Sequence, residues 1–440
     1  MGNTVDSQAL MSLALDEARR LGADQAEVAV SQDTGLSTTA RLGDVENLEY
    51  TNDRGFGITV FQGSRKGNAS TSDLSEPAIR EAVAKACGFA TRTAEDPYAG
   101  LADESRMCTD IPDLDLDHPW AIEAPAAIDL AIECEAAALA YDKRIRNSEG
   151  ATVGSNRGIR SYANTHGFLG SYAKTSHSVS CVVLGEADGD MQRDYYYSAS
   201  RDASELESPS LIGETAARRA VERLGAVKPQ TRTAPVLFLP ELAKGFIGHA
   251  MSAVSGGAQY RKSTFLLDAL GETVFPEWLS IDERPHIAKA MASAPYDGEG
   301  VATYDRSVFS DGVLQGYLLS SYSARRLGLE STANAGGAQN LVVSANASGF
   351  DAMLRQMDTG LIVEELIGHG VNPVTGDYSR GAVGHWVEGG EVRYPVHEVT
   401  IAGNLKELYR SIVAVGEDRD TRGGIRCGSL LVDGMTIAGA

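Results

Sequence analysis

The chain has 440 residues, 43 % of them hydrophobic and 7 % aromatic, with 47 glycines and a formal charge of −21. That length predicts two or three domains with ample core, and the glycine-rich, aromatic-poor balance favours strands and turns over a helical bundle. So acidic a surface repels a phosphate backbone, and basic residues gather only in pairs such as Arg19-Arg20, Arg218-Arg219 and Arg325-Arg326, so direct nucleic-acid binding is not expected.

No apolar run approaches ~20 residues, so no membrane span is expected. The opening MGNTVDSQAL lacks the order of a secretory signal. Cys87, Cys108, Cys134, Cys181 and Cys427 are odd in number, scattered and free of CxxC pairs. Reduced thiols and a cytoplasmic location are the expectation.

The first helix is predicted over 6–21, capped by Asp6 or Ser7, with Leu10, Leu13, Ala14 and Leu21 on one face and Gly22 at its end. Alternation at Ala26, Val28 and Val30, and again at Phe56, Ile58 and Val60, predicts strands, with hairpin turns at Gly43-Asp44 and Gly63-Ser64. A second helix opens at Ser75-Glu76-Pro77, turns Ile79, Ala82, Val83 and Ala86 inward, and stops near Gly88. Residues 1–92 form the first α+β unit.

Residues 93–120 are Asp-rich and interrupted by proline, which reads as a linker or extended crossover. The carboxylates of Asp110, Asp113, Asp115 and Asp117 lack the glycine and closing glutamate of a calcium loop. An Ala-rich helix at 122–141, strands at 144–149, 151–164, 167–184 and 190–198, and a helix at 206–224 make a second unit over 121–229. Helix–strands–helix therefore occurs twice, without sequence self-similarity.

The third unit, 230–440, opens with PVLFLPELAKGFIGHAMSAVSGGAQYRKSTF. A buried strand at 236–239 leads into a helix over 240–255, with Pro240 in its first turn and Gly256-Gly257 after its end. Asp311-Gly312 predicts a hairpin joining 300–309 to 312–319. Strands follow at 340–347, 361–366, 383–388, 391–402 and 428–437, with short helices at 350–357 and 406–413. The fold class is α+β: a two-layer N-terminal region with the repeated layout, and a mostly β C-terminal domain built as a curved sheet or barrel.

His249 lies in the middle of the 240–255 helix. A zinc peptidase helix carries two histidines about one turn apart and a glutamate beside the first to take the proton from metal-bound water. Here Ala250, Met251, Ser252, Ala253 and Val254 follow His249, so the motif is absent and a hydrogen-bonded, partly buried histidine is the plain reading. The stretch GHAMSAVSGGAQYRKSTFLLDALG, with SSYSARRLGLESTANAGG, GHGVNPVTGDYSRGAVGHWVEGGEVRYPVHEVTIAGNL and RCGSLLVDGMTIAG, nevertheless resembles the PmbA/TldD family, and the resemblance spans essentially the whole chain. It implies a two-chain zinc peptidase: a TldD-type subunit with His-Glu-x-x-x-His in this helix, and a PmbA (TldE) type that lacks it. This chain resembles the second type, with His249 near the first His, Ala250 in place of Glu and Val254 in place of the second His.

The resemblance implies a degenerate metal site at His249 and Cys427, no cofactor in this chain, zinc in a TldD-type partner, and unfolded peptides as substrates. It also implies roles such as microcin maturation and antitoxin turnover. Two ligands fall short of the three or four that zinc sites use, so a structural thiol is the plain reading of Cys427. His369, His385 and His397, even with Glu388 or Glu398, match no metal spacing. The loop 368–381 is turn-rich but has no Gly-Lys-Ser/Thr, so it is not a phosphate loop. Its residues Asp377, Tyr378, Ser379 and Arg380 are the expected substrate-binding positions, by strand addition of an extended peptide. The alternatives are an independently active peptidase with a non-standard site and a non-enzymatic peptide-binding or regulatory protein.

Overall fold

The computed structural model describes residues 6–347 and 349–439. Its first half contains α1 (Ser7–Arg20), β1 (Gln25–Arg41), β2 (Asp44–Gln62), β3 (Arg65–Thr71), α2 (Glu76–Ala90), α3 (Ala124–Tyr141), β4 (Ile145–Asn164), β5 (Leu169–Ala187), β6 (Asp190–Ser200) and α4 (Pro209–Glu222). The strands form one antiparallel sheet in the order β3-β2-β1-β4-β5-β6. The two helix–strands–helix layouts meet where β1 pairs with β4, from Glu27↔Asn164 to Ala40↔Ala151.

Alternation places Val28, Val30, Phe56, Ile58 and Val60 beneath α1 and α2, while Leu36, Val153, Val179, Cys181 and Val183 lie beneath α3 and α4. The Ala-rich faces of α3 and α4 allow close approach: a β-carbon added at Gly213 would sit 2.0 Å from the Cys134 carbonyl oxygen. The segments expected at 144–149 and 151–164 are one strand, kinked by bulges at Ile145/Asn147 and Ser148/Gly150. The other face of the sheet carries small and polar residues and turns toward the second half.

Residues 93–120 are extended apart from a 3₁₀ turn at Glu104–Arg106. They are packed: Leu101, Met107, Cys108, Leu114 and Leu116 are buried, and the Cys108 N–H donates to Gly300 O at 3.0 Å. Asp117 is spent on Arg157 at 2.7 Å, and Asp113 accepts the Asp115 N–H.

The second half comprises β7 (Arg232–Phe238), α5 (Pro240–Ala253), α6 (Gly256–Tyr260), β8 (Ile281–Glu283), β9 (Arg306–Ser310), β10 (Val313–Leu314), α7 (Ser321–Leu327), β11 (Leu341–Val343), α8 (Phe350–Met357), β12 (Gly360–Ile367), β13 (Asp377–Glu388), β14 (Glu391–Asn404), α9 (Leu405–Arg410), β15 (Ile412–Val415), β16 (Ile425–Arg426) and β17 (Leu430–Ala438). β14-β13-β12-β7-β17 closes into a five-stranded barrel through β14–β17 pairs such as Ile401↔Ile437. Closure leaves these strands without a long free edge. The core joins Val236, Phe238, Val363, Tyr378, Ile401 and Val432 to Phe246 of α5 and Tyr409 of α9. Phe246 stacks on Phe238 at 5.1 Å and meets Tyr409 edge-on at 5.2 Å.

A smaller sheet, β10-β9-β8-β11-β16, lies beside the barrel. The expected 300–319 hairpin is much shorter than its pattern predicts. Asp311 and Gly312 do turn the chain, with φ of +51° and +75°. The flanks are diverted to other partners: Val301 bridges to Met107, and the Leu318 N–H donates to Val254 O at 3.0 Å.

Candidate functional site

The helix α5 is fixed by its apolar face. Ala243, Phe246, Ile247, Ala250 and Met251 are buried against the barrel, and the Tyr409 hydroxyl donates to the Phe246 carbonyl at 3.0 Å. Its other side opens on a cleft of about 560 Å³. Gly248, Ser252 and Ser255 form one wall, Gly256-Gly257 the floor, and residues 334–338 with Ile425 the far side. Gly336 and Gly337 have φ of +97° and +117°, a backbone suited to glycine, and a β-carbon on either would meet nothing within 4 Å. Exposed main chain at the two Gly-Gly pairs, with Tyr260, Leu318, Tyr322, Leu341 and Ile425 around it, suits an extended peptide.

His249 does not line this cleft. Its ring lies against Tyr378, 6.1 Å between centroids, and burial followed by the nearby Arg380 charge lowers its pKa. Cys427 is fully buried, and burial pushes its thiol up to about 12. His249 and Cys427 are two donors where zinc uses three or four, and among the described residues no group of three or more His, Cys, Asp or Glu could hold a metal ion.

The segment expected as a loop at 377–380 is the start of β13. Asp377 pairs with Asn404, Tyr378 with Gly403, Ser379 with Ala402 and Arg380 with Ile401. On the opposite side the Ser379 N–H donates to Gly370 O at 2.7 Å, and Val371 bridges to Tyr378. Both edges are thus occupied by the chain itself, which overrides the turn-rich composition just before it. Asp377 accepts from Thr375 Oγ1 and Asn404 Nδ2, and Tyr378 is buried beside Phe246. Ser379 is exposed, while half-buried Arg380, among the described residues, has a buried Nε without a partner and donates from its side chain only to Leu366 O, at 3.3 Å.

The other C-terminal histidines are separate. His385 lies against Glu364 at 2.9 Å and the Glu222 carbonyl at 3.2 Å. Burial alone would lower its pKa, but the Glu364 carboxylate outweighs that and raises it. His369 is exposed, Glu388 accepts the Trp386 indole N–H, and Glu398 pairs with Lys228 beside His397.

Family models cover nearly the whole chain in three parts: PmbA/TldA metallopeptidase domain 1 over 26–90, the central domain over 117–224 and the C-terminal domain over 231–439. The chain belongs to the PmbA/TldD family. It is 50 % identical over 416 residues to Metalloprotease PmbA of Escherichia coli O157:H7, covering 94 % of this chain and 92 % of that one. A candidate modulator of DNA gyrase from Bacteroides thetaiotaomicron superposes with a TM-score of 0.94 at 28 % identity, over 99 % of this chain and 100 % of that chain. TldE from Thermococcus kodakarensis, at 20 % identity, shares the fold with a TM-score of 0.83 over 98 % and 100 %. Within the PmbA/TldD fold of this chain, the cleft along α5 was hidden from sequence reasoning because its far wall comes about 80 residues later. The visible signal was Gly256-Gly257, which reads as the end of the 240–255 helix.

Proposed function

We propose that this chain is the non-catalytic PmbA/TldE-type subunit of a two-chain peptidase acting on unfolded peptides. A TldD-type chain supplies zinc and the glutamate base, and this chain supplies a wall along which the peptide lies. The observation that carries the reading is the surface of α5. Where the family resemblance places a metal-binding helix, this helix offers Gly248, Met251 and Ser252 to the cleft, with Ser255 just beyond its end, and none of these is a zinc ligand or a base suited to activating water.

The residues present support a holding role. The open backbone at Gly336-Gly337 and Gly256-Gly257 provides main-chain contacts that are indifferent to peptide sequence. Arg380, beside His249 and outside the lining of the cleft, meets no carboxylate among the described residues and offers a separate positive anchor for an acidic part of the substrate. Losing a water-activating base typically costs about 10²–10⁴-fold in rate, which argues against independent hydrolysis.

The test is reconstitution. The full chain is mixed with a TldD-type subunit and cleavage of an unfolded peptide is followed, alone and together. Cleavage only in the mixture, reduced several-fold by Ser252→Phe or Arg380→Glu with complex formation unchanged, supports the reading. Cleavage by this chain alone, or unchanged cleavage in both variants, contradicts it.

A further inference from the structure

A second cavity, of about 600 Å³, lies between the polar face of the N-terminal sheet and loops of the C-terminal half. Its floor is made of small side chains, Ala29, Ser31, Gly55 and Gly57, and one wall is the 335–338 loop that also bounds the α5 cleft. The two cavities are therefore neighbours across Gly336-Gly337.

Strand register brings an unusual set of charges to this face. Arg160 stands opposite Tyr172 and Gly158 opposite Lys174, so Arg160, Tyr172 and Lys174 share one side of the sheet. Arg160 is paired with Asp33 at 2.8 Å. Lys174, half-buried on the cavity wall, has no hydrogen bond or ion pair among the described residues. Behind it Arg201, 2 % exposed, donates among the described residues only to the carbonyls of Thr175, Ala290 and Met291 and meets no carboxylate of theirs. The acid on the far wall, Asp297, is satisfied by the N–H groups of Glu299, Val301 and Ala335. The hydroxyl of Tyr296, a residue that is 5 % exposed and lines the same cavity, is buried without a partner.

Three cations thus face two acids inside a protein of charge −21. A buried, unpaired cation is costly unless an anion answers it. Burial, and then the charges of Arg201 and Arg160, lower the Lys174 pKa against a smaller opposing pull from Asp33. A surplus of one positive charge suits a monoanion better than a doubly charged phosphate. The available donors, an ammonium with the hydroxyls of Ser31 and Tyr172 on the same face of the sheet, suit a carboxylate.

We propose that this cavity binds the C-terminal carboxylate of the peptide lying in the α5 cleft, with Lys174 as its counter-ion. The chain end crosses Gly336-Gly337, where the absence of side chains leaves passage. This rests on the peptide-holding reading above and adds a terminus and a direction to it.

The test is binding of a fluorescently labelled, unstructured decapeptide to the full-length chain by anisotropy, as the free acid and as the C-terminal amide. A lost charge-assisted hydrogen bond is expected to weaken the amide about tenfold. Lys174→Met weakens the acid by the same factor, leaves the amide unchanged and so removes the preference, while Lys174→Arg keeps it. Gly57→Leu, at a position where an added β-carbon meets nothing within 4 Å, fills the cavity and weakens the acid alone. Equal binding of acid and amide overturns the proposal and leaves the peptide-holding reading standing. If neither form binds, both fall. Inorganic phosphate that binds in a Lys174-dependent way, with acid and amide still equal, overturns it in favour of a free-anion site.

Discussion

Replacing Arg223 by methionine tests how the N-terminal sheet is fastened to the barrel, and hence what holds the second cavity together. Arg223, at the end of α4, is 4 % exposed and reaches Asp194 on β6 at 2.8 Å, Glu365 on β12 at 2.5 Å and Glu364 at 3.7 Å. Glu365 is 40 % exposed and can return to water, so its share is about 0–1 kcal/mol. Asp194 is 3 % exposed and cannot. Burial already lifts its pKa to about 6, against the pull of the Arg223 charge. Without that charge the pKa rises further, and each unit costs about 1.4 kcal/mol at a pH above it. Removing one partner of a buried pair typically costs about 3–5 kcal/mol, which is the expected loss at pH 7.5. The sign follows from linkage: a carboxyl with a raised folded pKa loses stability as pH rises through that value. The loss should therefore shrink to less than about half at pH 5, where Asp194 takes up a proton. Urea unfolding midpoints at the two pH values, followed by tryptophan fluorescence, measure it. Adding Asp194→Asn should restore most of the stability at pH 7.5. An equal loss at both pH values, or no restoration, would refute the reasoning.

Other expectations follow from single contacts. For His385→Gln the loss relative to wild type should be largest between the ordinary values of 4.5 for Glu364 and 6.5 for His385. Glu364's lowered pKa makes its contribution vanish as pH falls through that value, and His385's raised pKa makes its own vanish as pH rises, so urea titrations from pH 4 to 9 should trace a maximum. Gly213→Ala raises helix propensity by about 1 kcal/mol, yet the contact with the Cys134 carbonyl should make it net destabilising by about 2 kcal/mol in thermal melts. All five cysteines are free and buried, so a thiol reagent should modify none in the native chain and five after unfolding.

The parts of the fold legible in the sequence are those where local pattern and final environment agree. α8 matches its expected span of 350–357, and Ile79, Ala82, Val83 and Ala86 of α2 are buried as their spacing predicts. The outer half of β2, from Asp44 to Arg54, is almost wholly exposed on both faces, so no alternation marks it as a strand. Asp377–Arg380 have no apolar alternation and become strand because β14 and the 368–371 loop pair with both edges. For the site, the missing second histidine and glutamate were readable one residue at a time. The surplus of Arg160, Lys174 and Arg201 was not, because only the pairing of β4 with β5 and the placement of the 290–294 loop bring those charges together.

The measurement closest to the central claim is zinc content and peptide cleavage of the untagged full-length chain, alone and with a TldD-type subunit. The account predicts less than about 0.1 zinc per chain and no cleavage alone, with cleavage appearing on reconstitution. About one zinc per chain, lost together with cleavage in His249→Ala, would contradict it.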